Sequence, residues 1–190
     1  MKLLEERICK DGVVLPGGVL KVDSFLNHQI DTQLMYECGA EWYDRFKDSG
    51  VTKIVTIEAS GIGLACLAAY HFNVPVVFAK KARSSIIDSN LYSTKVVSYT
   101  HGQEYDVIIA KKYITPDDKI LILDDLLANG SAMKALITLC NKGGATVVGC
   151  GAAIEKLYQG GGNSIRNMGY KVESLAKISS ISDDGNIEFC

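Results

Sequence analysis

Asp124 and Asp125 stand side by side at the end of an unbroken apolar run, Ile120, Leu121, Ile122 and Leu123. Ionised carboxylates only accept hydrogen bonds, so an adjacent pair suits the vicinal hydroxyls of a ribose and a nearby divalent cation. After Leu126 and Leu127 come Ala128, Asn129, Gly130, Ser131 and Ala132. Asn-Gly is a turn signal, and the pattern beyond it is helical from Ser131 to about Asn141. Gly130 lets the backbone bend closely around an anion. The free N–H groups of the next helix then face that anion, with the helix dipole adding roughly 0.3–2 kcal/mol. On residue types alone a second reading stands: a solvated acidic pair and a turn that merely caps a helix.

Other residues could join such a site. Glu58, Ala59, Ser60 and Gly61 form a small-residue turn between an apolar strand and a helix start. Gly61 and Gly63 also fit the glycine loop of a methyltransferase, although a lone Gly-x-Gly is weak evidence. A methyltransferase would need an acid at the end of the following strand, to hold ribose hydroxyls. Here that strand runs into Lys80, Lys81 and Arg83, cations that suit a polyanionic diphosphate or simply solvate the surface. Lys156 ends a later strand. A protonated lysine only donates, so it favours an oxo group over an amino group, unless it is an ordinary surface lysine. Asn27 offers both a donor and an acceptor, or else caps a helix. His28, His71 and His101 lack metal-ligand spacing. Gly160, Gly161 and Gly162 read as a loop or helix entry, with no function attached.

These residues need a frame. Leu34, Cys38, Trp42 and Phe46 recur every four positions, one buried face of a helix ending near Gly50. Strands are expected at 51–57, 75–79, 120–123 and 145–154, with weaker ones at 170–178 and 187–189. Helices are expected at 61–72, 131–141 and 159–168. Strand and helix in alternation predict an α/β fold with a mostly parallel sheet flanked by helices. Two segments break the rhythm. Residues 13–31 are loop-rich around Gly17 and Gly18, and residues 80–113 are long and mixed. A connection of that length in a compact domain is usually functional or mobile, so a flexible hairpin lid is expected there.

Composition narrows the class. The 190 residues suit one domain, with 47% hydrophobic and 22% charged side chains. A net charge of -2 and the lack of a basic run argue against duplex nucleic acid as partner. The six cysteines form no CxxC pair. The first ten residues carry five charges and do not read as a signal peptide. Reduced thiols in a cytoplasmic protein are therefore expected, with no membrane span.

The acidic strand and its loop resemble the signature of the type I phosphoribosyltransferases, in which two acids and two apolar residues precede an Ala-Thr-Gly-Gly-Thr loop. Here Asn129, Ser131 and Ala132 replace Thr, Gly and Thr. Two hydroxyls are lost and one is added, while the backbone donors remain. This variant loop, together with residues 13–31, resembles the branch of that family that acts on xanthine, and the likeness spans essentially the whole chain. The resemblance implies one domain over residues 1–190 with an N-terminal hood (13–31) and a lid (80–113). It implies that Ala128, Asn129, Gly130, Ser131 and Ala132 bind the 5′-phosphate of 5-phosphoribosyl 1-diphosphate, with Asp124 and Asp125 on the ribose. Glu58, Ala59, Ser60, Gly61 and Lys81 would bind the diphosphate, in a loop often of unusual peptide geometry. Leu20, Asn27 and Lys156 would contact xanthine. Mg²⁺ would accompany the diphosphate, no metal ligand is assigned, and the assembly would be a homodimer. The hypoxanthine-guanine branch has an Asp where Ala128 stands. Its absence points to an adenine- or orotate-type architecture and leaves the proton acceptor open. The alternatives are a transferase for adenine or orotate, and a regulator that senses phosphoribosyl diphosphate without catalysis. Such regulators commonly append a helix-turn-helix, for which the dozen or so residues before the hood are too few.

Overall fold

A computed structural model describes residues 1–82, 88–97, 104–182 and 184–190. In chain order the elements are α1 (Lys2–Asp11), β1 (Val13–Leu15), β2 (Val19–Lys21), α2 (Thr32–Phe46), β3 (Lys53–Ile57), α3 (Ser60–Phe72) and β4 (Val76–Ala82). There follow β5 (Leu91–Val97), β6 (Glu104–Ala110), β7 (Lys119–Leu127), α4 (Ser131–Lys142), β8 (Thr146–Lys156), α5 (Gly161–Asn167), β9 (Val172–Ile181) and β10 (Ile187–Phe189).

One eight-stranded sheet runs β10-β9-β8-β7-β3-β4-β6-β5. Its five middle strands, β9 to β4, are mutually parallel, and the outer strands join antiparallel. The central strand β7 is buried on both sides, as an apolar run without alternation requires. Ile54, Leu121 and Leu123 pack with α1, α2 and α3 on one face. Val55, Ile57, Ile120 and Ile122 pack with α4 on the other. Each such side chain contributes roughly 1.5–3 kcal/mol on burial. The expected face of α2 is the buried one: Leu34, Cys38, Trp42 and Phe46 all point inward. The Asp31 carboxylate caps that helix, accepting from Leu34 N–H at 3.1 Å.

Three local expectations need correcting, and one helix carries no sequence signal. Residues 13–31 are more ordered than loop: β1 and β2 form a hairpin that turns at Gly17 and Gly18, whose φ values of 82° and 71° suit glycine, and a π-helical turn spans Asp23–Asn27. Helix α1 was unforeseen because only Leu4 and Ile8 are buried in it, too few for a periodic signal. The strand carrying the acids does not stop at them but continues to Leu127, with Leu127 level with Glu155 of β8. The helix expected at 159–168 is shorter, a 3-10 turn at Leu157–Gln159 followed by α5.

The segment 80–113 does contain a hairpin, β5 with β6, but the hairpin also widens the main sheet: Lys80 of β4 is level with Ile108 of β6. Residues 83–87 and 98–103, among them Arg83, Ser84, Ser85, Ser98 and His101, lie outside the described residues. No helix of the described residues is long and apolar enough to cross a membrane. All six cysteines are unpaired, and burial pushes the Cys38, Cys140 and Cys150 thiols up to about 12.

Candidate active site

From β3 the chain steps to β4 on one side. It later returns to β7 on the other side of β3 and continues outward to β8 and β9. Parallel sheets bind ligands in the crevice outside the carboxyl ends of their strands, at the point where the direction of winding changes. Here that point lies between β3 and β7. The turn of residues 58–61 leaves one strand there, and the acids and residues 128–132 leave the other. Two helices, α3 and α4, begin at this crevice.

Successive strand positions face opposite ways, so Asp124 and Asp125 diverge. Both are buried, 5% and 6% exposed. Asp125 Oδ2 accepts from Asn27 Nδ2 of the hood at 3.2 Å. Asp124 Oδ1 accepts from the Asp125 amide at 3.0 Å and faces the α3 start: a Cβ added to Gly61 would lie 3.2 Å from it and would overlap Thr56 Oγ1. Burial, and then the neighbouring Asp125 charge, hold the Asp124 carboxyl well above its ordinary value. A cation or a cluster of donors is what such a pair is built to meet.

The turn before α3 contains a cis peptide between Glu58 and Ala59. Glu58 Oε1 accepts from the Lys81 backbone N–H at 2.6 Å, which ties this turn to the end of β4. Ala59 is exposed and Gly61 is buried. The Lys81 side chain is exposed, with Nζ 5.9 Å from the ring centre of Tyr105. Burial, and then the charge of Asp124, raise the Tyr105 phenol above its ordinary value. Neither Tyr105 nor the buried Thr56, whose hydroxyl has no partner, carried a sequence signal. One is an ordinary strand aromatic and the other an ordinary strand threonine until the sheet is assembled.

In the second loop, Asn129 Oδ1 accepts from both the backbone N–H and the hydroxyl of Ser131, at 3.0 and 2.9 Å. Gly130, at φ 81°, caps α4 in the left-handed region. The amides of the first helical turn then point outward with no intrahelical partner. The departure from the family loop thus has a local use, since the Asn129 and Ser131 side chains stabilise the turn itself.

The residues expected at the base are less concentrated. Lys156 Nζ donates to Gly18 O of the hood at 3.5 Å, and burial lowers its pKa. Leu20 is 5% exposed and belongs to the main core, against Gly12. Hood and β8 therefore approach each other, with Asn27 reaching the acid strand. A cavity of about 560 Å³ between β4, β5 and β6 is lined by Lys80 of the basic cluster but by neither the acids nor the two loops.

Among the described residues no cluster of three or more His, Cys, Asp or Glu side chains could hold a metal. His71 Nε2 lies 2.9 Å from Tyr36 O, a structural contact between α2 and α3.

The chain belongs to the phosphoribosyl transferase family, whose domain matches residues 26–172. It is 54% identical to the xanthine phosphoribosyltransferase of Bifidobacterium adolescentis, over 100% of this chain and 99% of that protein. It is 49% identical to that of Finegoldia magna, over 98% of each. In fold it resembles the adenine phosphoribosyl transferase of Trypanosoma brucei in complex with AMP, pyrophosphate and ribose-5-phosphate, with a TM-score of 0.77 at 19% identity, covering 96% of this chain and 82% of that one. For the Giardia lamblia enzyme complexed with 9-deazaadenine the TM-score is 0.75 at 18% identity, covering 92% and 97%. The expected fold, a type I phosphoribosyltransferase α/β sheet, is the one observed.

Proposed function

We propose that this protein joins xanthine to the phosphoribosyl group of 5-phosphoribosyl 1-diphosphate, releasing xanthosine 5′-monophosphate and diphosphate. The observation that carries the reading is the convergence at one switch point of two helix-start loops with an acid pair between them. A sugar with phosphates at both ends needs two anion cradles and a hydroxyl-binding centre, in that order. Its xanthine preference rests on the likeness to relatives named for that base.

In this reading N9 of the base attacks C1 of the ribose, and the C1–O bond breaks with its electrons leaving on diphosphate. The protein's task is to hold base and sugar in line and to balance charge. Residues 128–132 hold the 5′-phosphate through backbone amides. Asp124 and Asp125 accept from the ribose hydroxyls. Residues 58–61 and Lys81 receive the diphosphate. Lys156 donates to the oxygen at position 6, while Asn27 and Leu20 close over the ring. Xanthine binds as its anion beside Lys156, having given up one proton to solvent beforehand, so the uncharged nucleotide base needs no further net proton loss and the need for the Asp missing at position 128 is reduced.

The donor set fits Mg²⁺ that arrives with substrate. Mg²⁺ is commonly held by one or two carboxylates plus substrate phosphates rather than by a protein cage, and two carboxylates without a third are what the site offers. When bound, the ion supplies positive charge to the departing diphosphate. A closed lid at 80–113 would exclude water, and the active form would be a cytoplasmic homodimer.

The test is formation of xanthosine monophosphate by purified protein from xanthine, phosphoribosyl diphosphate and Mg²⁺, compared across a purine panel. Xanthine should give the highest turnover efficiency. Adenine as best substrate would overturn the assignment.

A further inference from the structure

The glycine run at 160–162 is a motif that the reaction does not absorb. Its surroundings give it work. Gly161 N–H donates to Ala128 O at 3.0 Å, where the phosphate loop begins. A Cβ on Gly161 would overlap Ala128 O and would lie 2.5 Å from both Asn129 C and Gly130 N. A Cβ on Gly162 would overlap Glu155 Oε1. Two successive residues are thus pressed between the phosphate loop and a carboxylate.

That carboxylate is firmly held. Glu155 is 1% exposed and accepts from Arg166 of the same short helix through two bonds of 2.8 Å, one to each oxygen. Ser174 Oγ of β9 donates to it at 2.5 Å. A two-pronged Arg–carboxylate pair fixes orientation as well as distance. The chain of contact runs from β9 through Glu155 to Arg166, along α5 to Gly161, and onto the backbone of residues 128–130.

We infer that Gly161, Gly162, Glu155 and Arg166 are positioning residues, a brace that sets the phosphate loop at the spacing from Asp124 and Asp125 that a phosphoribosyl group requires. This rests on the proposed seat of the 5′-phosphate. Gly161 does not lie in the left-handed region, so alanine there changes volume and not backbone preference.

Gly161→Ala tests it, with ribose 5-phosphate as probe for the phosphate loop and inorganic diphosphate with Mg²⁺ as probe for the other cradle. Calorimetry should read affinity for ribose 5-phosphate weakened about 10- to 100-fold, the size of a small misplacement. Affinity for diphosphate should be unchanged. In turnover the KM for phosphoribosyl diphosphate should rise while that for xanthine stays put. Arg166→Met should move the same values in the same direction, and Arg166→Lys should recover part of the loss. A Gly161→Ala protein that melts cooperatively and binds ribose 5-phosphate as wild type does would overturn the brace. If that variant does not fold, equal KM values for phosphoribosyl diphosphate in wild type, Arg166→Met and Arg166→Lys overturn it instead. Wild-type protein that binds ribose 5-phosphate yet makes no nucleotide would sink the proposed reaction and leave the brace to be judged on binding.

Discussion

The side-chain amide of Asn27 donates to Asp125 Oδ2 at 3.2 Å, a bond between residues 98 apart in the chain. One hydrogen bond thus latches the hood to the strand that carries the acids. It commits one of the two amide donors of Asn27 and, in the proposed reaction, would leave Asn27 Oδ1 to accept from a purine N–H.

Asn27→Ala should therefore do two things. The KM for xanthine should rise about tenfold, equivalent to roughly 1.4 kcal/mol. The effect should shrink when Asp125→Asn is already present, with a coupling energy of about 0.5–3 kcal/mol for residues in contact. Steady-state kinetics on the two single variants and the double variant measure both. Strict additivity would mean that the latch has no part in base binding.

Asp124 should show its burial in thermal melts of the ligand-free protein. The folded state holds the Asp124 proton more tightly than the unfolded chain does. Its stabilising contribution is full below the ordinary value of 3.8 and is lost as pH rises through the raised folded value. Asp124→Asn removes that loss. The variant should melt above wild type at pH 7, by about 2–4 °C per kcal/mol in a domain of this size, with the gap closing toward pH 4. Its turnover should meanwhile fall by roughly 100-fold or more. A variant no more stable than wild type at pH 7 would contradict the assignment of a raised carboxyl.

Glu155 runs the other way. Burial pushes its carboxyl up, but the Arg166 and Ser174 bonds outweigh burial and hold it below its ordinary 4.5. Its contribution is full above that value and is lost as pH falls through the lowered one. Glu155→Gln should cost about 2–3 kcal/mol at pH 7. That is less than the 3–5 kcal/mol of a fully buried pair, because Arg166 keeps 30% of its side chain in water. The deficit should narrow below pH 4.5, and denaturant titrations at pH 7 and pH 4 resolve it.

Lys156→Ala should raise the KM for xanthine about 10- to 100-fold and narrow the preference for oxo-purines over adenine. The rate in wild type should follow xanthine's own ionisation. A flat pH profile together with unchanged xanthine affinity in the variant would remove Lys156 and the bound anion from the account.

The sequence by itself determined the parallel sheet, the acid pair and the two helix-start turns. Their signals are local: an unalternating apolar run, adjacent carboxylates, and an Asn-Gly before a helical pattern. The 49–54% relatives carry the same reading to the family. Tertiary structure alone decided which of these pieces touch. That Asn27 meets Asp125, that Lys81 comes to the ring of Tyr105, and that Gly161 lies on the backbone of Asn129 depends on sheet order and on helices docked from distant parts of the chain. The pairing of β6 with β4 and the docking of α1 through Leu4 and Ile8 belong here too. A residue's type limits what it can bond to. Only the packing of apolar faces, which is non-directional and summed over the whole core, chooses the partner that stands within reach.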